Sequence, residues 1–93
     1  MIVVWSAKAR TELAFITDYI TTDSPYTAQK FIPQIIASIE TLKDHPTIGR
    51  SGRVSNTREL IVHKSYIVVY NISGGSINIL SIRHTARLWP QNF

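Results

Sequence analysis

The order of hydrophobic patterns along this chain predicts an α+β fold, β-α-α-β-β-β, in which a helical hairpin packs on a curved, mainly antiparallel sheet. Three observations carry that expectation. A short β-branched run opens the chain, two stretches between residues 6 and 45 repeat apolar residues at helical spacing, and three β-rich runs follow from Thr57 to Ile82. Two amphipathic helices and one sheet each have a face to bury, and laying both helices on one side of the sheet buries all three in a single core.

Ile2-Val3-Val4-Trp5 is apolar and β-branched and reads as a buried strand. Ser6 stands where a helix N-cap belongs. Beyond it Ala9, Leu13, Ile16 and Ile20 recur at helical spacing, with Tyr19 beside them and Lys8, Arg10, Glu12 and Asp18 on the other side. The pattern predicts a helix ending near Thr21. Asp23-Ser24-Pro25 is a turn and a new start, since proline is tolerated in a first helical turn where its missing N–H would have had no partner. Ala28, Phe31 or Ile32, Ile35, Ile39 and Leu42 supply the second stripe. Pro33 lies inside it, removing a backbone bond and crowding the preceding turn at a cost of roughly 3 kcal/mol, which predicts a kink or a helix that begins near Phe31. His45-Pro46 ends the helix, and residues 47–56 read as a polar loop. The strands are then Arg58 to Val62, Tyr66 to Ile72 and Ile77 to Ile82, the last two joined by Ser73-Gly74-Gly75-Ser76 as a hairpin.

Composition narrows the class. The 93 residues are expected to form one domain, 1–93, and a chain of that size buries a little over ~60% of the surface its unfolded form exposes. With no cysteine there is no disulfide, no thiolate nucleophile and no Cys-based zinc site. His45 and His63 stand apart from each other and from carboxylates at ligand spacing, so neither metal nor cofactor is expected. The N-terminal residues lack a basic n-region and a small-residue cleavage site, and no apolar run approaches the ~18 residues of a membrane span. The expectation is a cytoplasmic protein without membrane contact.

Charge is asymmetric. Residues 1–49 sum to −1, whereas residues 50–93 carry Arg50, Arg53, Arg58, Lys64, Arg83 and Arg87 against Glu59 alone. The basic half would draw in an anionic partner, either nucleic acid or an acidic protein segment. Its chemistry concentrates in Arg83-His84-Thr85-Ala86-Arg87-Leu88-Trp89-Pro90, where guanidinium groups suit phosphate or carboxylate, imidazole exchanges protons near neutral pH and indole offers an anchoring face. Arg58, Glu59, Arg83, His84 and Arg87 hold the residue types that RNA cleavage would need: a base, an acid and fixed positive charge at the phosphate. Strand alternation opposes this, because it sends Arg58 and Glu59, and Arg83 and His84, to opposite faces. The plainer reading of Arg58-Glu59 is a cross-strand or loop salt bridge. Gly49-Arg50-Ser51-Gly52-Arg53 resembles a phosphate cradle but lacks the Lys-Ser/Thr ending of a P-loop, and reads better as a basic loop.

The order of elements, with Trp5-Ser6, Ala9, Leu13, Ile16, Tyr19-Ile20, His45-Pro46, Gly49-Arg50, Thr57-Arg58-Glu59-Leu60, Tyr66, Val69-Tyr70 and the Arg83-His84-x-x-Arg87-x-Trp89-Pro90 ending, resembles the RelE/ParE superfamily of type II toxin–antitoxin toxins, in its ParE-like branch. The resemblance covers about Val3 to Pro90. It implies a toxin held inactive by a ParD-like or similar antitoxin that wraps its helices and sheet, with operator DNA contacted only through that antitoxin. ParE-like members are associated with inhibition of DNA gyrase. RelE-like members cleave messenger RNA on the ribosome and often carry a C-terminal Tyr or His. This tail has no Tyr after Tyr70, which favours gyrase inhibition, with Arg58, Arg83, His84, Arg87 and Trp89 as target- or partner-binding residues. The alternatives are a ribosome-dependent endoribonuclease and an inactive antitoxin-binding module.

Overall fold

The computed structural model describes residues 1–63 and 66–84. Its elements are β1 (Ile2–Trp5), α1 (Ala7–Asp23), α2 (Pro25–Glu40), a 3₁₀ turn over Thr41–Lys43, β2 (Arg50–Ser51), β3 (Arg58–His63), β4 (Tyr66–Ser73) and β5 (Ser76–His84). They build a five-stranded sheet of order β1-β5-β4-β3-β2 in which only β1 and β5 run parallel. Both helices pack on one face, where Ala9, Ile16, Phe31, Ile35, Ile39 and Leu42 meet Tyr66, Val68, Tyr70, Ile77, Ile79 and Ile82. Leu13 and Trp5 lie at the margin of this core, half-buried.

Local chemistry sets the helix ends. The Ser6 hydroxyl accepts from the Ala9 N–H at 3.0 Å, satisfying one orphan donor at the start of α1. Ser24 serves both helices: its N–H donates to the Ile20 carbonyl at 2.7 Å, and its hydroxyl accepts from the Thr27 N–H at 3.2 Å. Helix α1 thus runs two residues past Thr21. The expected start near Phe31 is overturned, because α2 begins at Pro25 and continues through Pro33. Phe31 on one side of the proline and Ile35 and Ile39 on the other all bury against the same sheet, and each such side chain contributes about 1.5–3 kcal/mol, which outweighs one lost bond. The loop expected over residues 47–56 also contains a strand, β2, too short to carry a period of its own.

One irregularity decides which strand residues face the helices. Along β4, Tyr66, Val68 and Tyr70 enter the helix-side core while Ile67 and Val69 join a second cluster with Val54 and Leu80. In the β4–β5 register Tyr70 lies opposite Ile79 but Val69 lies opposite Ser81, leaving Leu80 as an extra residue. This bulge reverses parity. Ile77 and Ile79 face the helices before it, and Ile82 does so after it. The β4–β5 turn needs positive φ at both central positions, and Gly74 (+59°) and Gly75 (+78°) provide it.

Strand β1 stops at Trp5, opposite Ile79, so the outer edge of β5 beyond that point has no strand partner among the described residues. The start of α1 occupies it. Ser6 donates through its N–H to the Ile79 carbonyl (3.0 Å) and through its hydroxyl to the Leu80 carbonyl (3.2 Å). Glu12 Oε1 accepts from the Ser81 hydroxyl (2.9 Å) and the Ile82 N–H (3.2 Å). Glu12 therefore belongs to the packed side of α1, not to the solvent side where helical spacing puts it.

Candidate functional site

Two surfaces at opposite ends of β4 carry the functional residue types. At the first, Thr11, Phe15 and Tyr19 follow one another at four-residue spacing on α1, so they line one stripe of that helix. Phe15 is 66% and Tyr19 69% exposed. Across from them stand Tyr66, Ile82 and His84, and with Glu12 and Ile16 these enclose a groove of about 560 Å³. The bulge in β5 is what turns His84 to this side. Its ring meets Tyr66 edge-on at 5.1 Å, Tyr66 lies 5.4 Å from Phe31, and Phe31 lies 4.4 Å from His63. Four rings thus form one ladder from β5 to β3, with two edge-on contacts and one tilted contact between Tyr66 and Phe31, and aromatic pairs of this kind add about 0.5–1.5 kcal/mol beyond area burial.

At the other end, residues 45–58 are held by a buried phenol. Tyr70 Oη accepts from the Gly49 N–H (3.0 Å) and donates to the Pro46 carbonyl (2.8 Å). Gly49 is required here, since a side chain would begin 2.6 Å from Tyr70 Oη. Arg58 Nη1 donates to the carbonyls of Thr47 (3.2 Å) and Gly49 (2.8 Å). Burial raises the Tyr70 pKa above its usual 10.0, with the Gly49 hydrogen bond and the Arg58 charge pulling the other way. The native state therefore holds this proton more tightly than the unfolded chain. Its stabilisation is complete below pH ~10 and is lost as pH rises through the native pKa. Tyr70→Phe is expected to cost about 1–3 kcal/mol near neutral pH and to flatten this alkaline loss; urea titrations at neutral and alkaline pH measure both.

Glu59 is 2% exposed on the other sheet face. Arg50 donates to its Oε1 through Nε (3.1 Å) and Nη2 (3.0 Å), and the Arg53 N–H donates to Oε2 at 3.3 Å. A cross-strand salt bridge does exist here, with Arg50 as the partner of Glu59. Arg83 is 6% exposed, its Nη1 lies 3.7 Å from Glu12 Oε2, and its Nε is buried without a hydrogen bond among the described residues.

The sequence-derived cluster is accordingly dispersed. Arg58 lies opposite Tyr70, a residue of the helix-side core, while Glu59 lies opposite Val69, which faces away from it. His84 lies opposite Tyr66, and Arg83 opposite Ile67 of the second cluster. Arg58, registered with Tyr70, and His84, registered with Tyr66, flank β4 on opposite sides and lie four strand steps apart along it, roughly 13 Å at ~3.3 Å each. Arg87 and Trp89 lie outside the described residues. Among the described residues no three His, Asp or Glu side chains converge as a metal site would require.

The profile of the ParE toxin of the type II toxin–antitoxin system parDE matches residues 3–89. The chain belongs to this ParE toxin family. The toxin is 36% identical over 86 residues to the protein named Toxin RelE2 of Caulobacter vibrioides, a span covering 92% of this chain and 97% of that relative. Its fold matches a chain of the chromosomal ParDE toxin–antitoxin system from P. aeruginosa at a TM-score of 0.82 and 25% identity, covering 90% of this toxin and 95% of that chain. A YoeB/ParE toxin from Agrobacterium tumefaciens matches at 0.66 and 16% identity, covering 90% and 98%, which shows the shared fold. As a type II toxin, the protein has an antitoxin for its partner. No helix among the toxin's described residues is long and apolar enough to cross a membrane.

Several residues that organise the toxin's surfaces escape a reading of the sequence. Glu12 and Arg50 act through partners far away in sequence, and nothing near them signals it. Tyr70 sits in an apolar run where its hydroxyl is indistinguishable from a strand aromatic. The outward Phe15–Tyr19 pair does have a signal, its four-residue spacing, yet that spacing equally suits the core, which is where the sequence places Tyr19.

Proposed function

We propose that this toxin acts as a single domain that inhibits DNA gyrase by binding it, and that its antitoxin silences it by covering the aromatic stripe of α1. The observation that carries the first part is the dispersal of Arg58, Glu59, Arg83 and His84. General acid–base cleavage needs its proton donor and acceptor within hydrogen-bond reach of one substrate, about 2.6–3.2 Å. Here Glu59 is buried beneath Arg50, Arg83 is tied to Glu12, and His84 meets Tyr66 edge-on at the start of the strand. His84 and the tail residues Arg87 and Trp89 suit anchoring to a protein target. The name of the RelE2 relative favours ribosome-dependent RNA cleavage as the second reading, and an inactive antitoxin-binding module is the third. Gyrase and ribosome are both cytoplasmic, so either target implies cytoplasmic action.

The test expresses the wild type, His84→Ala and a chain ending at Arg87, and reads growth, DNA supercoiling and messenger-RNA integrity together. Loss of supercoiling with intact messages is expected for the wild type. His84→Ala should weaken toxicity only partly, since an anchor contributes binding energy whereas a general base contributes ~10²–10⁴-fold in rate. The truncated chain should be non-toxic. Codon-phased cuts in ribosome-bound messages that vanish with His84→Ala, with supercoiling unchanged, would establish the nuclease instead.

A further inference from the structure

The basic loop that strand chemistry leaves without a role borders a cleft of about 650 Å³ between residues 51–58 and the end of β4. We propose that this cleft docks the phosphate backbone of double-stranded DNA. Its lining combines Arg58 with the hydroxyl residues Ser51, Ser55 and Thr57 and with Asn56 and Asn71. Arg, Ser, Thr and Asn side chains are the groups that contact phosphate and sugar oxygens in protein–DNA complexes. Among the described residues no carboxylate lines the cleft. The nearby Glu59 is buried and turned to the opposite face of β3, under Arg50 and the Arg53 N–H. Arg50 is paired with Glu59, and Arg50, Arg53 and Arg58 against that one carboxylate leave this end with a local charge of +2, so its field is positive.

Two features select duplex DNA among anionic partners. An acidic peptide would need apolar anchors, and among the described residues the cleft offers only Val54 and Ile72. Single-stranded RNA or DNA is gripped by stacking its bases on aromatic rings, and among the described residues no aromatic lines the cleft. The aromatic groove lies at the other end of β4, leaving the cleft open when a protein occupies α1. This contact is a property of the toxin alone, in contrast to the expectation that DNA is reached only through the antitoxin, and it does not depend on gyrase being the target.

Fluorescence anisotropy of the isolated toxin with a short labelled duplex of arbitrary sequence, across a salt series, tests it. Each phosphate contacted contributes ~0.9 to the slope of log affinity against log salt, so two phosphate contacts, matching the local charge of +2, predict a slope of about 2. Arg53→Ala should lower that slope by about one, equally for any sequence. Ser55→Glu, which places a carboxylate on the exposed rim, should weaken binding by at least ~10-fold. Phe15→Ala, in the distant groove, should leave binding unchanged. A preserved urea midpoint in each variant separates these effects from unfolding. Wild-type affinity and slope in both loop variants would overturn the proposal. So would tighter binding to single-stranded RNA than to the duplex, or a poly-glutamate peptide that binds as tightly as DNA with the same response to Ser55→Glu.

Discussion

Glu12→Ala should remove about 3–5 kcal/mol of stability, a large part of the roughly 5–15 kcal/mol that a domain possesses. The residue sits on a helix otherwise decorated with surface charge, yet its carboxylate performs three tasks at the β5 edge. It accepts from the Ser81 hydroxyl and the Ile82 N–H and faces the Arg83 guanidinium. Arg83 is 6% exposed, and its Nε has no hydrogen bond among the described residues, so Glu12 supplies its described ion pair. Removing the carboxylate leaves a buried cation uncompensated and opens a sheet edge at once. Glu12→Gln keeps an acceptor for the edge but not the charge, and should cost less. Pairing Glu12→Ala with Arg83→Met should recover part of the loss, because the buried charge goes with its partner. Urea titration of the four proteins measures each term. A loss below ~1 kcal/mol for Glu12→Ala would show that water replaces the carboxylate at little cost.

The fold was legible because its elements announce themselves locally. Ser6 and Ser24 cap helices whose apolar stripes are regular, and Gly74-Gly75 can hardly be anything but a hairpin turn between two β-branched runs. The features that shape the surfaces were hidden because they are products of pairing. The extra residue at Leu80 exists only relative to β4, yet it places Ile82 and His84 on the helix side. Strand β2 exists only because Arg50 and Ser51 meet Glu59 and Arg58 across a loop. Pro33 misleads for a related reason: its local cost is visible in the sequence, whereas the sheet that Phe31, Ile35 and Ile39 share is not.

The candidate site was legible in residue type and only partly in arrangement. Alternation correctly separated Arg58 from Glu59 and Arg83 from His84. It could not assign Glu59 to Arg50 or Arg83 to Glu12, since those partners come from other elements. Arg58 carries a structural duty alongside any binding role, holding the Thr47 and Gly49 carbonyls. Substituting it therefore mixes loop disorder with lost charge.

Replacing both Phe15 and Tyr19 by Ala should weaken antitoxin binding by ~10²–10³-fold, on the proposed docking of the antitoxin across α1. The two rings expose 66% and 69% of their surface beside a groove walled by Tyr66, Ile82 and His84. Large apolar side chains that stand out together next to a concave apolar surface mark an interaction site. Truncated aromatic anchors typically cost ~2 kcal/mol or more each, and two of them correspond to about a thousandfold in affinity if they act independently. Because both are exposed in the free toxin, stability should change by less than ~0.5 kcal/mol for each. The measurement is titration of the cognate antitoxin into wild-type and doubly substituted toxin over a range of salt, beside urea midpoints for both. Wild-type affinity should itself fall with salt, because the basic half of the chain complements an acidic antitoxin segment. Unchanged affinity in the double variant, with salt dependence intact, would move the antitoxin off α1 and onto the basic half alone.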